Sequence, residues 1–162
     1  MKSSAKFDVV VYGSTGFTGQ LVAEYLATHY AGKGAPKWAM AGRSLDKLAS
    51  VRDAIGAPAD IALIRADAGD PPSLKAMIEQ THSVISTVGP YQLYGTELVA
   101  LCAATGTDYL DLCGEPLWMR QMIDAHEAEA KRSEAIFSAV SAPCEKPTAA
   151  IRPGSTSARR ER

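Results

Sequence analysis

The stretch FDVVVYGSTGFTGQLV, Phe7 to Val22, changes texture twice. Phe7–Tyr12 is apolar and rich in β-branched residues, which predicts a short buried strand. Gly13, Gly16 and Gly19 follow in G-x-x-G-x-x-G spacing. From Thr18 to Tyr30, Leu21, Val22, Tyr25 and Leu26 recur at helical spacing, which predicts an amphipathic helix. A glycine turn between strand and helix meets three needs: a sharp turn, close backbone approach to a pyrophosphate, and tight helix–strand packing. The helix N-terminus adds free N–H groups and a positive dipole end. We therefore expect a dinucleotide phosphate site at Gly13, Ser14, Thr15, Gly16, Phe17, Thr18 and Gly19, with hydroxyl contacts from Ser14, Thr15 and Thr18. The competing reading is a turn with no ligand.

The same alternation continues along the chain. Lys37–Ala41 reads as a second strand, and Ser44 as the N-cap of a helix with Leu45, Leu48, Val51 and Ile55 near one face. DIALIRAD (60–67) is a third strand, after which Asp70 as N-cap and Pro71 at the first helical position open a helix to Gln80. Ser83–Val88 is a fourth strand, ending in the loop GPYQLYG (89–95). A helix over Thr96–Ala104, a fifth strand TDYLDL (107–112), a helix from Pro116 to Ser133 and a sixth strand in AIFSAVS (135–141) complete the pattern. Units of roughly 25–30 residues are close to βαβ spacing. The expected fold is thus a Rossmann-type α/β domain, a doubly wound parallel sheet of six strands in three α/β/α layers, over residues 1–141. Residues 142–162 hold three prolines and four arginines, with Ile151 as the only large aliphatic residue. Such a segment buries too little apolar surface to offset ordering, so disorder is expected there.

Composition narrows the function classes. The chain has 162 residues, 46% apolar and 22% charged, which suits one globular domain. A net charge of −1 gives no electrostatic argument for nucleic acid or a membrane surface. No apolar run is long enough for a transmembrane span, and the N-terminus lacks a secretory signal. Cys102, Cys113 and Cys144 are scattered without a C-x-x-C, as expected of free thiols in a cytoplasmic protein. His29, His82 and His126 lack metal-ligand spacing, so no metal site is expected.

The second strand ends in Arg43 and Ser44, where an NAD site would place a carboxylate. A guanidinium offers paired donors to a ribose 2′-phosphate, so NADP(H) is expected over NAD(H). The alternative is a solvated loop arginine. Asp67, ending the third strand, reads equally as a contact to the adenine edge or as a turn aspartate. After the fourth strand, Val88, Gly89 and Pro90 are placed to pass close to the nicotinamide ribose. Tyr91 and Tyr94 are the candidate catalytic acids by position alone, and rigid turn residues are the competing reading. Glu115, before Pro116, reads first as a helix N-terminal carboxylate, with contact to substrate or cofactor as the competing reading. Trp118, Met119, Met122 and Ile123 form an apolar helix face, for core or for a homodimer contact.

With YGSTGFTG (12–19), WAMAGRS (38–44), VGPYQLYG (88–95) and GTDYLDLCGE (106–115) in hand, the chain resembles the saccharopine dehydrogenase-like oxidoreductases, including the trans-acting enoyl reductases. The resemblance runs from Phe7 to Ser133. It implies an N-terminal NADP(H)-binding domain, hydride transfer to a small or lipid-like substrate, and a following substrate and dimerisation domain. We expect that C-terminal domain to be absent, because after AIFSAVS the chain runs APCEKPTAAIRPGS. Two other readings stand beside it. A non-catalytic NADP-binding or interaction module is one. A short-chain dehydrogenase or epimerase is the other, weakened because no tyrosine has a lysine four residues later.

Overall fold

A computed structural model describes residues 5–139. The expected disordered tail and Cys144 lie outside the described residues. In chain order the elements are β1 (Phe7–Tyr12), α1 (Phe17–His29), β2 (Trp38–Gly42), α2 (Leu45–Ala54), β3 (Ala62–Arg65), α3 (Pro71–Ile78), β4 (Thr81–Ser86), α4 (Tyr91–Tyr94), α5 (Thr96–Thr105), β5 (Asp108–Asp111), α6 (Pro116–Ser133) and β6 (Phe137–Ala139).

The six strands form one sheet in the order β3-β2-β1-β4-β5-β6, and every neighbouring pair is parallel. β1 lies inside the sheet, with Val10 paired to Ala39 and Val84, and Tyr12 to Ala41 and Ser86. Alternate side chains feed two cores, which is why Val9–Tyr12 of β1 reads as an apolar run. Val11, Trp38 and Met40 pack against Ala23 and Leu26 of α1 and Leu48 of α2. Val10, Tyr12 and Val84 pack on the other side with Leu74 and Met77 of α3, Leu98 and Cys102 of α5, and Trp118 of α6. Two helical layers around a parallel sheet are the expected three-layer Rossmann fold. The chain winds outward from β1 to β3, then crosses back to β4 beside β1. The connections leaving β1 and β4 therefore diverge, and a crevice opens between them at the carboxyl ends of the strands.

Several elements differ from the sequence-based expectation, each for a visible reason. The loop 89–95 contains the short helix α4, because the Glu115 carboxylate accepts the N–H groups of Tyr91 and Gln92. β4 starts at Thr81, in register with Phe7. It ends at Ser86, and the amide and hydroxyl of the next residue, Thr87, both donate to the Tyr12 carbonyl. Asp70 occupies the N-cap position of α3 without capping it, and its carboxylate sits 3.6 Å from Arg65 instead. Trp118 takes the core reading. It is 6% exposed, its Nε1 donates to Thr96 Oγ1 at 3.0 Å, and its ring lies 5.8 Å from that of Tyr91.

Candidate functional site

The crevice is built on two glycines. Gly13 has φ +94°, and a Cβ there would lie 2.6 Å from Thr87 Oγ1 and 2.8 Å from Val88 Cγ2. Only glycine both adopts that backbone and lets β1's exit run against β4's. Gly19, one turn into α1, lies so close to Gly13 that a Cβ would overlap the Gly13 carbonyl. These two contacts seat α1 on the turn and aim its N-terminus into the crevice. The N-cap, Gly16, offers no side-chain hydrogen bond, and no acidic residue stands in the first turn. First-turn amides have no intrahelical acceptor, so this end is suited to an anion.

The resulting cavity has a volume of about 240 Å³ and is lined by Tyr12, Gly13, Thr15, Gly16, Gly42, Arg43, Asp67, Ala68, Thr87, Val88, Gly89 and Tyr94. Seven of the expected cofactor residues, Gly13, Thr15, Gly16, Arg43, Asp67, Val88 and Gly89, thus share one cavity with Tyr94. Arg43 is exposed and makes no ion pair among the described residues. Asp67 Oδ1 accepts the Gly69 amide at 3.0 Å, so the turn reading holds while the residue also lines the cavity. Tyr12 lies at its base. Burial pushes the Tyr12 phenol up to about 12; Asp67 raises it further, and Arg43 opposes both. At neutral pH it is therefore an uncharged hydrogen-bonding group.

The remaining expected residues lie elsewhere. Ser14 is fully buried and its hydroxyl donates to the Val11 carbonyl at 2.7 Å, which replaces the expected phosphate contact. The Ser44 hydroxyl accepts the Lys47 amide at 3.3 Å, so it caps α2. Phe17, Thr18, Gly19 and Pro90 do not line the cavity, and the Phe17 side chain is 81% exposed. Tyr91 is corrected as a candidate acid. It is buried, its hydroxyl donates to the Ser86 carbonyl at 3.1 Å, and burial pushes it up to about 12. Tyr12, Gly42, Ala68 and Thr87 were not expected. Their signal was position: Tyr12 and Gly42 end strands, Thr87 immediately follows one, and Ala68 lies in the loop after β3, all at the carboxyl edge.

A larger cavity of about 460 Å³ opens at the opposite edge, among Lys6, Tyr30, Pro36, Lys37, Pro58 and Asp60. It lies where strands begin and where α1 ends. A helix C-terminus presents carbonyls and a negative dipole end, so this edge is a poor phosphate site despite its size.

Known proteins bear on this geometry. The family model for the saccharopine dehydrogenase NADP binding domain matches residues 9–137. Over 126 residues the chain is 50% identical to a Mycobacterium tuberculosis protein nominated as a trans-acting enoyl reductase. It is 48% identical over 126 residues to the trans-acting enoyl reductase of Mycobacterium leprae. Both matches cover 77% of this chain and 29% of the relative, so the chain spans less than a third of the length of these relatives. Apo saccharopine dehydrogenase of Saccharomyces cerevisiae superposes with a TM-score of 0.64 at 20% identity, over 83% of this chain and 27% of that one. The Citrobacter triphenylmethane reductase complexed with NADP(H) gives 0.54 at 17% identity, over 81% and 48%. At such identities the two structures establish the shared fold.

Proposed function

The chain belongs to the saccharopine dehydrogenase NADP-binding-domain family, and from that premise we propose that it is the cofactor-holding portion of an oxidoreductase resembling the trans-acting enoyl reductases. Its cofactor is NADP(H). The observation that carries the proposal is an uncapped helix N-terminus behind a φ-positive glycine, sharing one crevice with an unpaired arginine. Thr15 and Gly16, which line the crevice at the positive end of the α1 dipole, hold the pyrophosphate. Arg43 pairs with the ribose 2′-phosphate, its planar fork supplying two parallel donors. Tyr12 and Asp67 flank the adenosine side, and Val88 and Gly89 let the nicotinamide ribose lie against backbone. When bound, NADP(H) supplies the two-electron chemistry, and the protein orients it. Tyr94, 45% exposed and lining the crevice, is the remaining candidate for a proton donor.

The substrate class in this reading is small or lipid-like, with an activated double bond, and the location is cytoplasmic. No helix among the described residues is long and apolar enough to cross a membrane. Titration of the chain with NADPH and with NADH, followed by an enoyl-thioester reduction assay, tests the proposal. Tighter binding of NADPH with turnover supports it in full. Binding without turnover selects the second reading, a binding module. Retention of neither dinucleotide overturns both.

A further inference from the structure

Glu115 precedes α6, yet its side chain caps nothing on that helix. Its carboxylate crosses instead to the start of α4. Oε1 accepts the Tyr91 amide at 2.7 Å and Oε2 accepts the Gln92 amide at 2.9 Å. Hydrogen bonds to an ionised acceptor are the strong kind, and here one carboxylate makes two. They join segments 24 and 23 residues apart in the chain. The carboxylate's own connection is also held. The Cys113 amide donates to Asp111 Oδ1 at 3.1 Å, and the Glu115 amide donates to Cys113 Sγ at 3.3 Å. A third tie runs from the Leu112 amide to the Tyr91 hydroxyl at 3.5 Å.

The segment so held has a place in the site. Val88 and Gly89 lie just before Pro90, the N-cap of α4, and Tyr94 ends that helix; all three line the cofactor crevice, whereas Glu115 does not. We propose that Glu115 is a positioning residue: from outside the crevice, its two hydrogen bonds fix the 88–94 wall and so set affinity for the nicotinamide half of the dinucleotide. This inference rests on the NADP(H) reading above. A residue that merely stabilises the fold would act on every ligand of the crevice. A positioning residue for this wall acts only on ligands that reach it.

Adenosine 2′,5′-bisphosphate makes the distinction, because it carries the 2′-phosphate and adenosine but no nicotinamide ribose. In the full chain, Glu115→Gln replaces one acceptor with a donor facing an amide. We expect it to weaken NADPH about tenfold and the bisphosphate by less than about twofold, in line with the loss of one charge-assisted bond. Should that variant not fold, Glu115→Asp keeps the charge with a shorter reach and carries the same test, with an expected selective loss of about threefold. Equal losses for both ligands, or no loss for either, overturn the positioning role while leaving the cofactor reading intact. If the wild-type chain retains neither NADPH nor the bisphosphate, the cofactor reading falls and this inference with it.

Discussion

In the proposed reading, the choice between the two nicotinamide dinucleotides rests on Arg43. It follows β2 directly and shares the crevice with the α1 N-terminus. A carboxylate there would accept ribose hydroxyls and repel a 2′-phosphate. Arg43→Glu is therefore expected to cost NADPH about 1–3 kcal/mol more than NADH, the range for a lost charge-assisted bond. Fluorescence titration with both cofactors checks it, and equal losses would remove Arg43 from 2′-phosphate recognition. Two tyrosines set a different expectation. Tyr12 and Tyr91 are both buried and both raised from 10.0 to about 12. Below pH 10 each is neutral in the folded and unfolded chain, so the burial of the phenols counts in full. Between pH 10 and 12 the unfolded chain ionises first, and stability falls by on the order of 2 kcal/mol for each. Urea denaturation from pH 9 to 12 should show this decline, and Tyr12→Phe should make it shallower. A flat profile would mean the phenols are solvated.

At the scale of elements, the seat of α1 on the glycine turn is the demanding contact. Gly19→Ala places a methyl on the Gly13 carbonyl, and backbone cannot yield as a flexible side chain does. Overpacking of this kind costs about 1–3 kcal/mol. The variant should melt earlier and also lose NADPH affinity, because α1 must slide from the crevice. A variant that melts earlier but binds NADPH as before would separate packing from phosphate recognition. The same element was the most legible in the sequence, since its strand, turn and helix are encoded by adjacent residues. So were the other strands and helices, whose periodicity is local. What could not be read locally was misjudged. α4 forms because of a carboxylate far along the chain, so GPYQLYG looked like a plain loop. Ser14 had the right chemistry for phosphate, but burial and the Val11 carbonyl take its hydroxyl. Trp118 looked equally suited to core or interface until Thr96 and Tyr91 closed around it.

The whole molecule puts its chemistry at one edge of the sheet because every strand points the same way. Parallel strands bring all their carboxyl ends together, and the reversal of winding between β1 and β4 opens a gap between the two diverging connections. The larger cavity, among Lys6, Lys37 and Asp60, lies at the other edge and is the natural rival on volume alone. Polarity separates them, since phosphates meet helix N-termini in one and a helix C-terminus in the other. Saturating NADPH, at about a hundred times its Kd, should stabilise the folded chain by roughly 2.7 kcal/mol and raise its melting temperature by about 5–10 °C. Hydrogen exchange then locates the gain. Protection should rise at 13–19, 42–44, 67–69 and 87–94, the four segments that converge on the crevice. The amides of Asp8 and Lys37, which already donate to Lys37 O and Asp8 Oδ2 across the opposite edge, should exchange as before. Protection confined to that opposite edge would mean that volume, and not the direction of the helix dipoles, decides where this fold takes its ligand.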